Sequence, residues 1–475
     1  MFLLLLHLAI VVPCSLHILL RKHRQPESRV AWLLLVFSFP YVGALIYLLV
    51  GRTSIGHGRI AELKQVLTLL PRPECALSTA IIRESDKNCR YTGLFSTGTS
   101  ISGYLPVNGN HAKLMADSDS TIDHMITDID CATDTVHLLF YIWLNDNNGT
   151  KMAEALKRAA ARGVVCRAMV DNIGSRAFIR SHLWKELSDA GVHTLTALGH
   201  GAPWRGVFNG RIDLRNHRKI LVIDNRITYC GSQNCADPAF YPKAKYGPWV
   251  DAVFRFEGPV VRQNQHLFAS DWMAGGGDDL SDILRSPLPV TRPGFAAQAI
   301  GTGPTFRSSA MSEMFEALIN AAQSELCITT PYYVPNPSLQ AALCASANRG
   351  VATSIILPAR NDDFAVQATS RSYYEELILA GVRIHEFLPG LLHTKSITLD
   401  NEISLIGSAN MDRRSFDLNY ENNILLHDKA ITLQMRERQQ YYIDNSRVIT
   451  LDDVRSWSVS RRLLNNTVAI VSPLI

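Results

Sequence analysis

The chain has no C-x-x-C pair, although it holds nine cysteines (Cys14, Cys75, Cys89, Cys131, Cys166, Cys230, Cys235, Cys327 and Cys344). They are scattered, odd in number and set mostly in apolar segments, where a free thiol behaves as a small hydrophobe. Neither a disulfide framework nor a zinc site is expected from them. Excess charge is also missing: 47 Lys and Arg against 43 Asp and Glu leave a net charge of +4 over 475 residues. That balance does not describe a nucleic-acid coat, although local basic sites for anions remain open. The composition, 47% hydrophobic and 19% charged, is that of a globular protein long enough for two or three cores.

Charge is absent altogether from two stretches, residues 2–20 and 30–50, which contain no Asp, Glu, Lys or Arg. At about 1.5 Å rise per residue, either is long enough to cross a hydrocarbon core of roughly 30 Å as a helix. Arg21, Lys22, Arg24 and Arg29 follow the first stretch, the wrong order for a cleaved signal peptide. Residues 1–52 are therefore expected to form a transmembrane helical hairpin, with the rest of the chain outside the bilayer. The loop cations favour a cytoplasmic loop, but Arg52, Arg59 and Lys64 nearly cancel that bias and leave the side of the catalytic part open.

Beyond the anchor the chain repeats itself. Residues 129–171 and 319–360 each read helix end, apolar strand ending in aromatics, polar loop, Ala/Leu-rich helix and apolar strand. Arg162-Gly163-Val164 and Arg349-Gly350-Val351 close the two helices at matching places, where glycine ends a helix. This alternation predicts βαβ units and a mixed, largely parallel sheet flanked by helices. Two copies of one α/β domain are expected, over 109–290 and 291–475. Residues 53–108 have no partner in the repeat. The insert near 200–215, with Trp204 and Phe208, reads equally as a lid and as a surface excursion, and 273–280 reads as a flexible loop.

The repeat extends to "RNHRKILVIDNRITYCGSQN" (215–234) and "LLHTKSITLDNEISLIGSAN" (391–410). His217, Lys219, Asp224, Ser232 and Asn234 are answered by His393, Lys395, Asp400, Ser408 and Asn410 at identical spacing. On a strand His and Lys share a face, Asp-Asn turns the chain, and Gly-Ser-x-Asn returns beside them. Each half thus offers an imidazole, an ammonium and neutral donors. Two such sets about one pocket suit a phosphodiester, with one imidazole attacking and the other protonating the leaving oxygen. The motif lacks the carboxylate cluster of a two-metal site, and the lysines supply the positive charge, so no metal is required. Asp251 and Glu421 are the candidates for orienting the histidines, one in each copy. By parity Asp224 and Asp400 better fit fixing of the hairpin turns.

His-x-Lys-x4-Asp-x6-Gly-Ser-x-Asn, present twice, resembles the phospholipase D superfamily, and the surrounding sequence is similar to its bacterial cardiolipin synthase branch. The resemblance implies a catalytic set of His217, Lys219, Asp224, His393, Lys395 and Asp400. Ser232, Asn234, Ser408 and Asn410 would bind phosphate, and a phosphohistidine would form on one imidazole. By analogy His217 attacks and His393 is the acid and base, although the symmetric pattern does not itself decide. The family reaction joins two phosphatidylglycerol molecules into cardiolipin and glycerol at a bacterial inner membrane, with no cofactor. The partners implied are phosphatidylglycerol, cardiolipin and the lipid bilayer, with no nucleic acid. A phospholipid hydrolase using the same residues is the competing reading, ahead of a nuclease or an inactive scaffold.

Overall fold

The computed structural model describes residues 2–20, 26–51, 57–73, 90–198, 213–287, 292–305, 307 and 309–471. Helices α1 (Phe2–Leu19), α2 (Pro26–Ser38) and α3 (Pro40–Ile46) make an N-terminal hairpin ending in a π-helical turn, Tyr47–Gly51. Proline lacks the N–H that would continue the ladder and disfavours helix in the residue before it. Pro40 therefore opens α3 with Phe39 non-helical, and residues 30–50 are two helices rather than one. Among the described residues no helix is long and apolar enough to cross a membrane. Val11, Ile18, Trp32, Val36 and Tyr47 form the hairpin's own core.

The unpartnered segment supplies α4 (His57–Leu69) and α5 (Thr92–Ser102). The first half then runs β1 (Val107–Leu114), α6 (Ser118–Asp130), β2 (Thr135–Phe140), α7 (Asn147–Ala161), β3 (Val165–Asp171), α8 (His182–Asp189) and β4 (His193–Ala197). It continues with β5 (Arg215–Asn216), β6 (Ile220–Ile223), β7 (Ile227–Gly231), β8 (Trp249–Val250), β9 (Val253–Glu257) and α9 (Val260–Ala274). The second half gives β10 (Phe295–Thr302), α10 (Ala310–Ala321), β11 (Glu325–Thr329), α11 (Pro337–Asn348), β12 (Ala352–Pro358) and β13 (Arg383–Phe387). It ends with β14 (Leu391–Leu392), β15 (Ser396–Leu399), β16 (Ile403–Gly407), β17 (Asn419–His427), α12 (Lys429–Asp444) and β18 (Ser446–Ile449).

The duplication is visible in one continuous sheet, ordered β18-β13-β12-β11-β15-β16-β17-β10-β1-β9-β7-β6-β2-β3-β4. It reads almost the same from either end, and β1 and β10 join the halves antiparallel at its centre. The expectation of a largely parallel sheet is corrected. Along this order only β2–β3–β4 and β11–β12–β13 run parallel, where helices provide the crossovers, and the other neighbours are antiparallel. Helix α7 is capped by the Asp146 side chain and α11 by that of Asn336. Met152, Ala155, Leu156 and Ala159 turn the face of α7 into the core over β2 and β3.

The segment before the repeat is integrated. Helix α4 packs on α9, and α5 packs on β10 and α10. Gln298 of β10 donates to the Phe95 and Tyr104 carbonyls at 3.2 and 2.6 Å. The loop expected to be flexible near 273–280 is pinned: Arg167 pairs with Asp278 at 2.5 Å, and Trp272 Nε1 donates to the same carboxylate at 2.9 Å. The insert with Trp204 and Phe208 lies outside the described residues.

Candidate active site

Each motif is a hairpin whose turn residues both have positive φ: Asp224 and Asn225 at 49° and 51°, Asp400 and Asn401 at 53° and 54°. That is the type I′ geometry which matches strand twist, and Asn and Asp tolerate it best after glycine. The return strands end at Gly231 and Gly407. A Cβ at either would overlap a backbone carbonyl, that of Ala252 or Asn422, so only glycine allows the approach.

His217–Lys219 and His393–Lys395 are not ladder residues. Each is the irregular link between a two-residue strand and the hairpin, and each two-residue strand pairs with the other half. Strand β5 lies parallel to the start of β17, and the His217 N–H donates to the Tyr420 carbonyl at 2.9 Å. Strand β14 lies parallel to β8, and the His393 N–H donates to the Val250 carbonyl at 2.8 Å. Tyr420 and Val250 directly precede Glu421 and Asp251. The carboxylates are therefore exchanged: His217 Nδ1 lies 3.0 and 2.9 Å from the Glu421 oxygens, and His393 Nδ1 lies 2.7 Å from Asp251 Oδ1. Each copy carries one such carboxylate, and each faces the histidine of the other copy.

Ser232 Oγ donates to Asp251 at 2.6 Å, and Ser408 Oγ donates to Glu421. Both serines thus buttress a carboxylate. Glu421 also accepts from Ser415 Oγ at 2.9 Å and from Asn419 at 3.2 Å. Lys219 Nζ donates to the His217 carbonyl at 2.7 Å, and Lys395 Nζ to that of His393 at 2.6 Å. Asn234 Oδ1 accepts from the Ile142 N–H at 3.3 Å, and Asn410 Oδ1 is buried without a described partner.

Asp224 and Asp400 stand apart from this group. Asp224 accepts the N–H groups of Thr133, Asp134 and Thr135, each at 2.8–2.9 Å. Asp400 accepts those of Gln323, Ser324 and Glu325 and pairs with Arg90. They tie the hairpin turn to the loop before β2 or β11, the place their strand parity suggests.

The site is buried, and burial dominates its electrostatics. It pulls His217 and His393 down to about 4, against the opposing pull of Glu421 and Asp251. It also lowers Lys219 to about 8 and Lys395 to about 7. Burial pushes Glu421 upward, but His217 and Lys219 outweigh it and hold the carboxyl at about 2. In the same way His393 and Lys395 keep Asp251 below the ordinary range. The Lys395 charge acts on His217 and that of Lys219 on His393, so the two motifs lie close enough to act on each other. Both carboxylates are ionised and both rings neutral near pH 7, with Nδ1–H directed at the carboxylate. Neither Nε2 has a described hydrogen-bond partner.

Sequence reasoning missed the aromatic walls. The Tyr141 ring stands 4.8 Å from that of His217, and Trp249 stands 4.6 Å from His393. Their signals were the aromatic end of β2 and the Trp two residues before Asp251. Ser415 and Asn419 carried none.

Comparison with known proteins agrees with this architecture. A family model described as "Cardiolipin synthase, PLD-like domain" matches residues 125–272 and again 315–442, and "Phospholipase_D-nuclease N-terminal" matches 9–52. The chain is 36% identical to cardiolipin synthase A of Escherichia fergusonii over 92% of its own length and 90% of the relative's. It is 35% identical to cardiolipin synthase A of Salmonella arizonae over 96% and 95%. A crystal structure of phosphatidylserine synthase from Haemophilus influenzae shares the fold, with TM-score 0.60 and 13% identity over 81% of this chain and all of that one. Fold and site together define a duplicated PLD-like protein. The chain belongs to the cardiolipin synthase family.

Proposed function

We propose that this protein is a membrane-bound phosphatidyltransferase that makes cardiolipin and glycerol from two phosphatidylglycerol molecules. The observation that carries the reading is the crossed pairing of two neutral imidazoles with two ionised carboxylates around a pair of buried lysines. His217 Nε2 attacks phosphorus while the bond to the departing glycerol oxygen breaks, and His393, protonated beside the bound anion, gives that oxygen its proton. A hydroxyl of the second phosphatidylglycerol then gives its proton to His393 and attacks the phosphohistidine, freeing His217. Lys219 and Lys395 offset the charge of the phosphoryl oxygens, and the Asn234 and Asn410 amides donate hydrogen bonds to them. No metal takes part in this scheme. Burial of the reacting atoms favours a lipid hydroxyl over water as acceptor.

In this reading residues 1–52 are the anchor, 53–108 join it to the catalytic part, and 109–290 and 291–475 are the two halves. Support for the anchor comes from its outward face: Leu5, Leu16, Leu34, Phe37, Val42 and Leu45 are all exposed around the hairpin core. Alkaline extraction of membranes checks it, because an anchored chain stays with the pellet.

Purified protein given vesicles of phosphatidylglycerol alone should yield cardiolipin and free glycerol. Phosphatidic acid as the sole product would sink the transferase and leave the hydrolase. Replacing His217 or His393 by Ala should lower kcat by at least roughly 10³-fold. Near-normal turnover by H217A rules out His217 as the attacking group.

A further inference from the structure

The residue between histidine and lysine differs in the two motifs: Arg218 in the first, Thr394 in the second. Both are fully buried, and each reaches a helix of its own half, α9 after β9 or α12 after β17. Arg218 Nη1 donates to Asp271 Oδ1 of α9 at 2.6 Å, whereas Thr394 Oγ1 meets the Tyr442 hydroxyl of α12 at 3.1 Å. Asp271 comes twenty residues after Asp251, and Tyr442 twenty-one after Glu421, so the two pairs hold equivalent places in the repeat. One imidazole is backed by a buried ion pair and the other by two hydroxyls.

The ion pair also reaches further. Arg218 Nε donates to the backbone carbonyl of Glu421 at 3.2 Å, and Nη2 donates to that of Thr302, at the end of β10, at 3.1 Å. Its guanidinium lies 5.5 Å from the centre of the Tyr420 ring. Asp271 Oδ2 in turn accepts from Asn216 Nδ2 at 2.8 Å, beside the histidine. One planar fork thus joins β10 and β17 of the second half to α9 and the motif of the first. A lysine ammonium keeps the charge but does not present separate donors in those fixed directions. Thr394 makes a smaller bridge: its side chain reaches one carbonyl of the other half, that of Val250 at 3.2 Å, where Arg218 reaches two.

We propose that Arg218 is a positioning residue. Through the Glu421 backbone it fixes the carboxylate that aims His217, and so aligns the first imidazole without touching substrate. This rests on the reading above, in which His217 attacks phosphorus. A shift of about 1 Å in a reacting group costs roughly 10²-fold in rate, so loosening this clamp should act on turnover rather than on substrate binding.

Two full-length variants test it. R218K keeps a cation for Asp271 and gives up the fork. R218T/D271Y transplants the second half's neutral pair, a replacement that removes both charges and leaves neither buried alone. Turnover in phosphatidylglycerol vesicles is measured beside the melting temperature. Expected for both is a kcat lower by at least about tenfold, with KM within about twofold of the parent and melting within a few degrees of it. A kcat within about threefold of the parent in R218K overturns the proposal. So does a loss of kcat that only follows loss of folded protein. Should the double variant not fold, R218K decides alone. A parent chain that releases only phosphatidic acid overturns the transferase reading instead, and the same variants then test Arg218 on that hydrolysis.

Discussion

Glu421 and Asp251 do for the imidazoles what no neighbour in sequence does. Each accepts the Nδ1 proton of a histidine 204 or 142 residues away, which fixes the tautomer and leaves the Nε2 lone pair toward the pocket. Glu421→Gln and Asp251→Asn preserve shape but remove the charge, and the new amide no longer dictates which ring nitrogen holds the proton. Each should lower kcat roughly 10²–10⁴-fold with little change in KM, measured as cardiolipin formed from phosphatidylglycerol. Activity close to normal in either variant would mean that the ring beside it needs no anionic partner. His217, Lys219 and their twins were legible because the pattern occurs twice at one spacing. Ser232 and Ser408 were legible as residues but not as roles, since a hydroxyl returned beside the motif lysine by the hairpin serves a phosphate or a carboxylate equally well.

At the scale of the element, the hairpin explains the aspartates. Asp224 and Asp400 sit at the far end of the turn, where each carboxylate gathers three successive backbone N–H groups from the loop before a parallel strand. An Asn there turns an amide donor toward those N–H groups. Asp224→Asn and Asp400→Asn should each destabilise the fold by about 1–3 kcal/mol in urea titrations. The folded fraction should keep its kcat within about threefold. A large loss of kcat with unchanged stability would return these residues to the chemistry. The same scale shows why the sheet was misjudged. Helical crossovers signal parallel neighbours strongly, while β1, β9, β10 and β17 meet through pairings distant in sequence that leave no local mark.

Across the whole molecule the halves are interlocked, because neither histidine finds its carboxylate within its own half. The buried site also carries a cost that pH reveals. In the fold His217 and His393 stay neutral down to about 4, whereas in the unfolded chain they take up protons from about 6.5 downward. Between those values the unfolded state binds more protons, so the stability present above pH 6.5 falls as pH drops and is fully lost below 4. Buried His137, lowered to about 3, and His266, lowered to about 4, act in the same direction. The urea midpoint should fall from about pH 7 to about pH 4.5, and H217Q/H393Q should show a shallower slope. An equal slope in that variant would show that these two rings are not the source.

The sequence by itself determined the duplication, the α/β units, the two motifs and the apolar hairpin, because each rests on local periodicity or on a spacing met twice. Only the tertiary structure decided which carboxylate serves which histidine, that the serines brace those carboxylates, and that Arg218 clamps the halves together. The reason is physical. Strands β5 and β14 are two residues long and pair across the halves, and backbone hydrogen bonds between distant segments carry no side-chain signature.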